Sequence, residues 1–280
     1  MSRVQKTELY VLGIVGSPRK NGLTTQVVRK CLEGVAKAGL ETKTLHLVDF
    51  HYQPCRDCHP TLACRETRSH DKCYHKDDFE TVSSLIDGAN GLVLGSAVYY
   101  GDVTNSVNTL FSKKVRHGKD RPKEGIPGIG IAVAGGMGGG YASALRRIYH
   151  FYRIIGILGM KPIPVTRFNL PMALDEAFQT GYDMALIIQK GEYITGPQRI
   201  ASFLEFPILG FDYLQERQFL VRQIIEGARR EKKSNESTER TANLYSRSEN
   251  LGKSGDKAGA LALVEDAYKA ATSNWNPERQ

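Results

Sequence analysis

Four cysteines carry the densest chemistry in this chain. Cys55, Cys58, Cys64 and Cys73 fall within nineteen residues as Cys-x2-Cys-x5-Cys-x8-Cys, and a fifth, Cys31, stands apart. Four thiolates so close together can wrap one metal centre without help from elsewhere. In a long chain with no secretory signature this pattern points to a metal site rather than a disulfide frame. His59, His70 and His75 lie in or beside the segment, so a zinc site stays open. Cys31 lies on the apolar face of a helical repeat and reads as a small core residue.

Three further segments could hold an anion or a flat ring. Gly16-Ser17-Pro18-Arg19-Lys20-Asn21-Gly22-Leu23-Thr24-Thr25 follows an apolar run and opens a helical repeat. Free backbone amides and the helix dipole make such a corner an anion site. Ser17, Thr24 and Thr25 add hydroxyls, Arg19 and Lys20 add charge, and no acidic residue intervenes. Neither the dinucleotide fingerprint nor a Walker loop is present. Gly95-Ser96-Ala97-Val98-Tyr99-Tyr100-Gly101 places two tyrosines between glycines, where they can wall a ring or simply pack. Ala134-Gly135-Gly136-Met137-Gly138-Gly139-Gly140 holds five glycines in six positions. A turn needs one or two, so the excess suggests a ligand lying against bare backbone.

These segments need a frame, and the hydrophobic periodicity supplies one. Strands are expected at residues 9–16, 42–48, 91–97, 129–134 and 161–167, with amphipathic helices between them. Strands alternating with helices require parallel crossovers, hence an open doubly wound α/β sheet. Ligands then bind beyond the carboxyl ends of the strands, at the switch point. The three segments leave strands one, three and four, so they share that edge. Residues 1–167 form this domain, with residues 51–76 inserted after strand two. Residues 169–197 read as loop-rich with one short helix near 176–190. A helical extension over 168–230 carries Phe203, Phe206, Phe211, Tyr213 and Phe219, which need cover; a neighbouring subunit would give it. Residues 231–280 read as a charged linker, 231–258, and a last amphipathic helix around Val264 and Tyr268.

The residues themselves resemble the NADPH-dependent FMN reductase branch of the flavodoxin-like proteins, from residue 9 to about 167. Gly16-Ser17-Pro18-Arg19, Asn21 and Thr24-Thr25 match its phosphate loop. Ser96-Ala97-Val98-Tyr99-Tyr100-Gly101 is similar to its Ser-Pro-Val-Tyr segment, with Ala97 at the usual proline. The third glycine segment matches its remaining flavin loop. The resemblance implies that Ser17, Arg19, Asn21, Thr24 and Thr25 hold an FMN phosphate and ribityl chain. It implies that Ala97, Val98, Tyr99, Tyr100, Gly135 and Gly136 line the isoalloxazine. The cysteine segment, followed by Lys76-Asp77-Asp78-Phe79, resembles that of iron–sulfur flavoproteins in this family, although its second and third gaps are longer. That implies a cluster, 4Fe-4S by type, on Cys55, Cys58, Cys64 and Cys73, with zinc as the alternative.

The function expected is an FMN-dependent oxidoreductase. It would divide electron pairs from NAD(P)H or a reduced carrier toward a one-electron acceptor. A quinone or small-molecule reductase without a cluster, a flavodoxin-like carrier, and a zinc-stabilised binding protein are the alternatives. Hydride transfer to a flavin needs no side-chain acid or base, so no catalytic residue is expected. The formal net charge of +8 over 280 residues suits an anionic ligand, or solubility alone. No recognition motif suggests nucleic acid. No apolar run is long enough to span a membrane, and the run at 9–16 reads as a buried strand rather than a signal core, which places the chain in the cytoplasm. Assembly is expected to be a homo-oligomer, a dimer or a tetramer.

Overall fold

The computed structural model describes residues 9–57, 76–117, 122–135 and 139–273. Strand β1 (Tyr10–Gly16) is buried along its whole length, as the centre of a parallel sheet must be. It pairs in parallel with β2 (Glu41–His46) on one side and β3 (Gly91–Tyr99) on the other. β3 carries a short antiparallel partner, β4 (Asp102–Val103), and pairs in parallel with β5 (Pro127–Ala134). β5 in turn pairs with β6 (Leu158–Gly159) and β7 (Ile163–Thr166). The path runs β2-β1-β3-β5-β6, so the chain turns back at β1 and places its switch point between β1 and β3. This is the doubly wound parallel sheet that the alternating pattern predicts, in the flavodoxin-like form that the family resemblance implies.

Side-chain alternation along β1 assigns the two faces. Val11 and Val15 point into one core with Val28, Cys31 and Val93. Helices α1 (Leu23–Lys37) and α5 (Leu170–Lys190) cover that face. Leu12 and Ile14 point into the other core. It is covered by α2 (Phe79–Asp87), α3 (Asn105–His117) and α4 (Tyr141–Ile155). Helices α1 and α5 touch backbone to backbone. A Cβ on Gly34 would stand 2.0 Å from the Phe178 carbonyl oxygen, and one on Gly181 2.0 Å from the Cys31 carbonyl oxygen. Cys31 is fully buried there, and burial pushes its thiol well above the ordinary range.

The structure departs from the sequence reading in four places. Strand two stops at His46, and Leu47–Asp49 tightens into a 3-10 turn that buries Leu47. The strand expected at 161–167 is β7, and the short strand β6 precedes it at Leu158–Gly159. The stretch read as loop-rich is instead the 21-residue helix α5, with a proline in its first turn and left-handed Gly191 (φ 68°) at its end. The stretch read as a linker holds α8 (Glu236–Ser254), started by a capping box between Asn235 and Thr238.

The extension is a helical layer: α6 (Gly196–Ala201), two 3-10 turns, α7 (Tyr213–Arg230), α8 and α9 (Lys257–Thr272). Leu220, Val221 and Ile225 of α7 and Val264, Ala267 and Tyr268 of α9 form a small core, against which Ala242, Leu244 and Tyr245 of α8 pack. The aromatic side chains of this layer find part of their cover within the chain itself. Phe203, Phe206, Phe211 and Phe219 pack against the chain's own main core, and only Tyr213 is largely exposed. Buried Arg199 ties the layer down, donating to the carbonyls of Arg153 and Ile157 and pairing with Glu124 at 3.3 Å. Among the described residues no helix is long and apolar enough to cross a membrane.

Candidate flavin edge and cysteine neck

Sheet register brings the sequence-predicted segments together. Gly16, where β1 ends, lies opposite Ser96 of β3, and Ala97 lies opposite Val133 of β5. The loops after β1, β3 and β5 therefore leave one carboxyl edge at nearly one level, on both sides of the switch point.

The first loop is an anion cradle. Gly22 caps α1 with extended backbone and no side-chain hydrogen bond, and no acidic residue sits in the first turn. The opening amides of α1 thus face outward with the positive end of the dipole. Ser17 is buried and its hydroxyl accepts the Arg19 amide at 3.2 Å, which folds the loop back. Thr24 and Thr25 are also buried, and the Thr25 hydroxyl lies 3.4 Å from the Arg19 carbonyl it donates to. Arg19 and Asn21 are exposed at the rim. A Cβ on Gly16 would meet Val107 at 2.1 Å, so only glycine lets this corner close against α3.

The second and third loops line the neighbouring stretch of this edge. Ala97 and Val98 are half-buried, Tyr99 is half-exposed and Tyr100 stands free in solvent. Tyr100 and Gly101 both take left-handed backbone, φ 50° and 78°. Among the described residues, nothing stands within 4 Å of where a side chain on Gly135 or Gly139 would point. Gly140, at φ 86°, is wedged against Gly101, 2.6 Å from its would-be Cβ to the Gly101 Cα. Gly136 lies outside the described residues. An anion cradle beside a glycine-lined edge flanked by two exposed tyrosines fits a phosphate-bearing planar group such as FMN.

Two further residues, neither marked by a sequence motif, support this edge. Thr104 is buried and links the ends of β1 and β3 through Gly16 and Ser96. Arg167 donates its guanidinium to the Gly135 carbonyl. Nothing local marks either one, because each partner is distant in sequence.

Of the four cysteines, Cys55 is described; Cys58, Cys64 and Cys73 lie outside the described residues. Cys55 is half-buried and not in a disulfide. Its segment is closed at the neck by Asp77 and Asp78. Asp78 accepts the His51 amide at 2.7 Å and returns its own amide to the His51 carbonyl at 3.1 Å. Asp77 accepts the amides of Gln53 and Phe79, each at 3.1 Å, and the buried Lys113 ammonium. Burial alone would raise the Asp77 carboxyl, but Lys113 and the two amides outweigh it and hold it below the usual range. The Tyr52 hydroxyl donates to the Ser106 carbonyl at 3.1 Å, and Asp49 pairs with Lys20 of the first loop at 2.6 Å. The neck is therefore tied to the same edge as the anion cradle. Among the described residues no group of three or more His, Cys, Asp or Glu is placed to hold a metal ion.

Sheet order, switch point and edge loops define a flavodoxin-like α/β protein. The chain belongs to the NADPH-dependent FMN reductase family, whose pattern it matches over residues 9–175. It is 34% identical over 148 residues to an iron–sulfur flavoprotein of Methanocaldococcus jannaschii, covering 52% of this chain and 72% of that one. An iron–sulfur flavoprotein of Archaeoglobus fulgidus is 25% identical over 189 residues, covering 63% and 83%. The solved NAD(P)H:quinone oxidoreductase of Methanothermobacter marburgensis shares the fold, with a TM-score of 0.50 and 13% identity over 63% of this chain and 97% of that one.

Proposed function

We propose that this protein is an FMN-dependent oxidoreductase of the iron–sulfur flavoprotein type. It would take electrons from NAD(P)H or a reduced carrier and deliver them to a one-electron acceptor. The observation that carries the reading is the convergence on one sheet edge of an anion cradle, a glycine wall and the neck of the four-cysteine segment. The relatives named as iron–sulfur flavoproteins support the same reading.

In it, the α1 amides with Ser17, Thr24 and Thr25 bind the FMN phosphate, and Arg19 and Asn21 close the rim. Ala97, Val98, Tyr99 and Tyr100 orient the ring from one side, and Gly135 and Gly136 admit it from the other. When bound, the flavin takes up an electron pair as hydride and a cluster passes electrons singly. Cys55, Cys58, Cys64 and Cys73 are the ligands assigned to the cluster. Asp77 and Asp78 fix where their segment leaves and rejoins the fold. The active form is assigned as a homo-oligomer.

Anaerobic purification with a visible spectrum, iron and zinc counts and an NAD(P)H oxidation assay tests this directly. The expected result is flavin and iron together with pyridine-nucleotide turnover. Flavin without iron would leave a simple flavin reductase, and flavin without turnover a carrier. Zinc without flavin would overturn the reading.

A further inference from the structure

Helix α4 begins beside the glycine wall, yet it has no cap of its own. Its N-cap is Gly140, which has no side chain, and its first turn holds no acidic residue. The cap comes from the extension. Glu216, in the first turn of α7 and almost fully buried, accepts the Ala142 amide on Oε1 at 3.2 Å, across 74 residues of sequence. Its main-chain carbonyl accepts the buried Tyr141 hydroxyl at 2.7 Å. A carboxylate here satisfies an orphan amide and faces the positive end of the helix dipole. A buried carboxylate is costly to keep unless such donors hold it. Arg146 of α4 fixes the approach by donating to the carbonyls of Leu209 and Phe211, at 2.6 and 3.0 Å.

We propose that Glu216 is a positioning residue for the flavin edge, acting by capping α4 and so seating Gly140 against the loop after β3. This rests on the FMN reading above. Gly140 has no slack: its would-be Cβ falls 2.6 Å from the Gly101 Cα and 2.9 Å from a Val98 methyl. A shift at the start of α4 must therefore move Val98 and Gly101 as well. Arg167, also outside the sheet, holds the Gly135 carbonyl where β5 ends. The described ends of the third loop are thus set by residues that follow the last strand, and the helical layer becomes part of the cofactor site's support.

The test compares Glu216→Ala, Glu216→Gln and, as a control, Arg199→Met. Arg199 anchors the same layer at the opposite end, beside Ile157. Three readouts serve: FMN dissociation constant by fluorescence titration, the visible spectrum of bound FMN, and amide hydrogen exchange at the start of α4. Glu216→Ala is expected to weaken FMN binding about tenfold, alter the bound spectrum and speed exchange at Ala142. Glu216→Gln keeps an acceptor oxygen and should recover most of the affinity. Arg199→Met should lower thermal stability and leave the FMN constant unchanged. Wild-type affinity and exchange in Glu216→Ala would overturn the proposal, as would an equal loss of FMN in Arg199→Met. A wild-type chain that binds no FMN would instead overturn the reading of the site itself.

Discussion

The Thr104 hydroxyl donates a 2.6 Å hydrogen bond to the Gly16 carbonyl, 88 residues earlier in the chain. Its own amide donates to the Ser96 hydroxyl at 3.0 Å, and Ser96 donates in turn to the Ala97 carbonyl at 2.8 Å. One buried residue at the head of α3 thus fixes the spacing between the anion cradle and the loop after β3. In the proposed function, that spacing is the distance FMN would bridge between its phosphate and its ring.

Replacing Thr104 with Val keeps the shape and removes the donor. The Gly16 carbonyl then lies buried without this partner, a loss of about 1–3 kcal/mol. Urea unfolding should report that loss, and FMN titration should show weaker binding. Thr104→Ser, which keeps the hydroxyl, should stay near wild type in affinity.

The double variant Thr24→Ala, Thr25→Ala tests the phosphate assignment. Hydrogen bonds to a charged group are worth about 1.5–3 kcal/mol each. FMN affinity should therefore fall roughly tenfold or more. Equal affinity in the double variant would show that these hydroxyls only pack.

Changing any one of Cys55, Cys58, Cys64 or Cys73 to Ser should strip iron and bleach the broad visible absorbance of iron–thiolate charge transfer. Cys31→Ser should keep both, because Cys31 is buried between α1 and the sheet. Iron analysis beside the spectrum distinguishes loss of the cluster from loss of the flavin.

Asp77 and Lys113 join the cysteine neck to α3, with side chains only 11% and 2% exposed. Asp77→Asn leaves a buried ammonium without its counter-charge, which typically costs about 3–5 kcal/mol. Adding Lys113→Met should restore part of that. The carboxyl is held below its ordinary value of about 3.9 in the folded state. Its contribution is therefore complete above that value and is lost as the pH falls through the lowered folded one. Unfolding free energy measured against pH should show a shallower acid limb in Asp77→Asn.

Gly34→Ala drives a methyl onto the Phe178 carbonyl oxygen, since the would-be Cβ sits 2.0 Å away. Helices α1 and α5 must separate, at a cost of about 1–3 kcal/mol. Thermal melting should register it, while the FMN spectrum stays unchanged.

The sequence by itself determined the sheet, its parallel order and the edge on which ligand loops gather. Those features rest on local signals: runs of buried apolar residues, helical periodicity, and glycines at strand ends. It also marked candidates for anion binding: Thr24 and Thr25 lie in the first turn of α1, and Ser17 lies in the loop that leads into it. Some local signals run against the composition around them. Pro171 reads as a loop residue, but a proline in the first turn starts a helix, and α5 begins at Leu170. Asn235 and Thr238 spell a capping box inside a stretch whose low hydrophobicity reads as linker.

Only the tertiary structure decided what supports the site. Thr104 meets Gly16, Asp77 meets Gln53, and Glu216 meets Ala142 across 88, 24 and 74 residues. A hydrogen bond of that reach has no period and no motif. It exists because the sheet order brings two strand ends together, or because a helical layer folds back over the edge. The same physics bears on the aromatic extension. Phe203, Phe206, Phe211 and Phe219 announce by composition that they must be covered, but what covers them is a matter of where the chain returns. Here it returns to its own core.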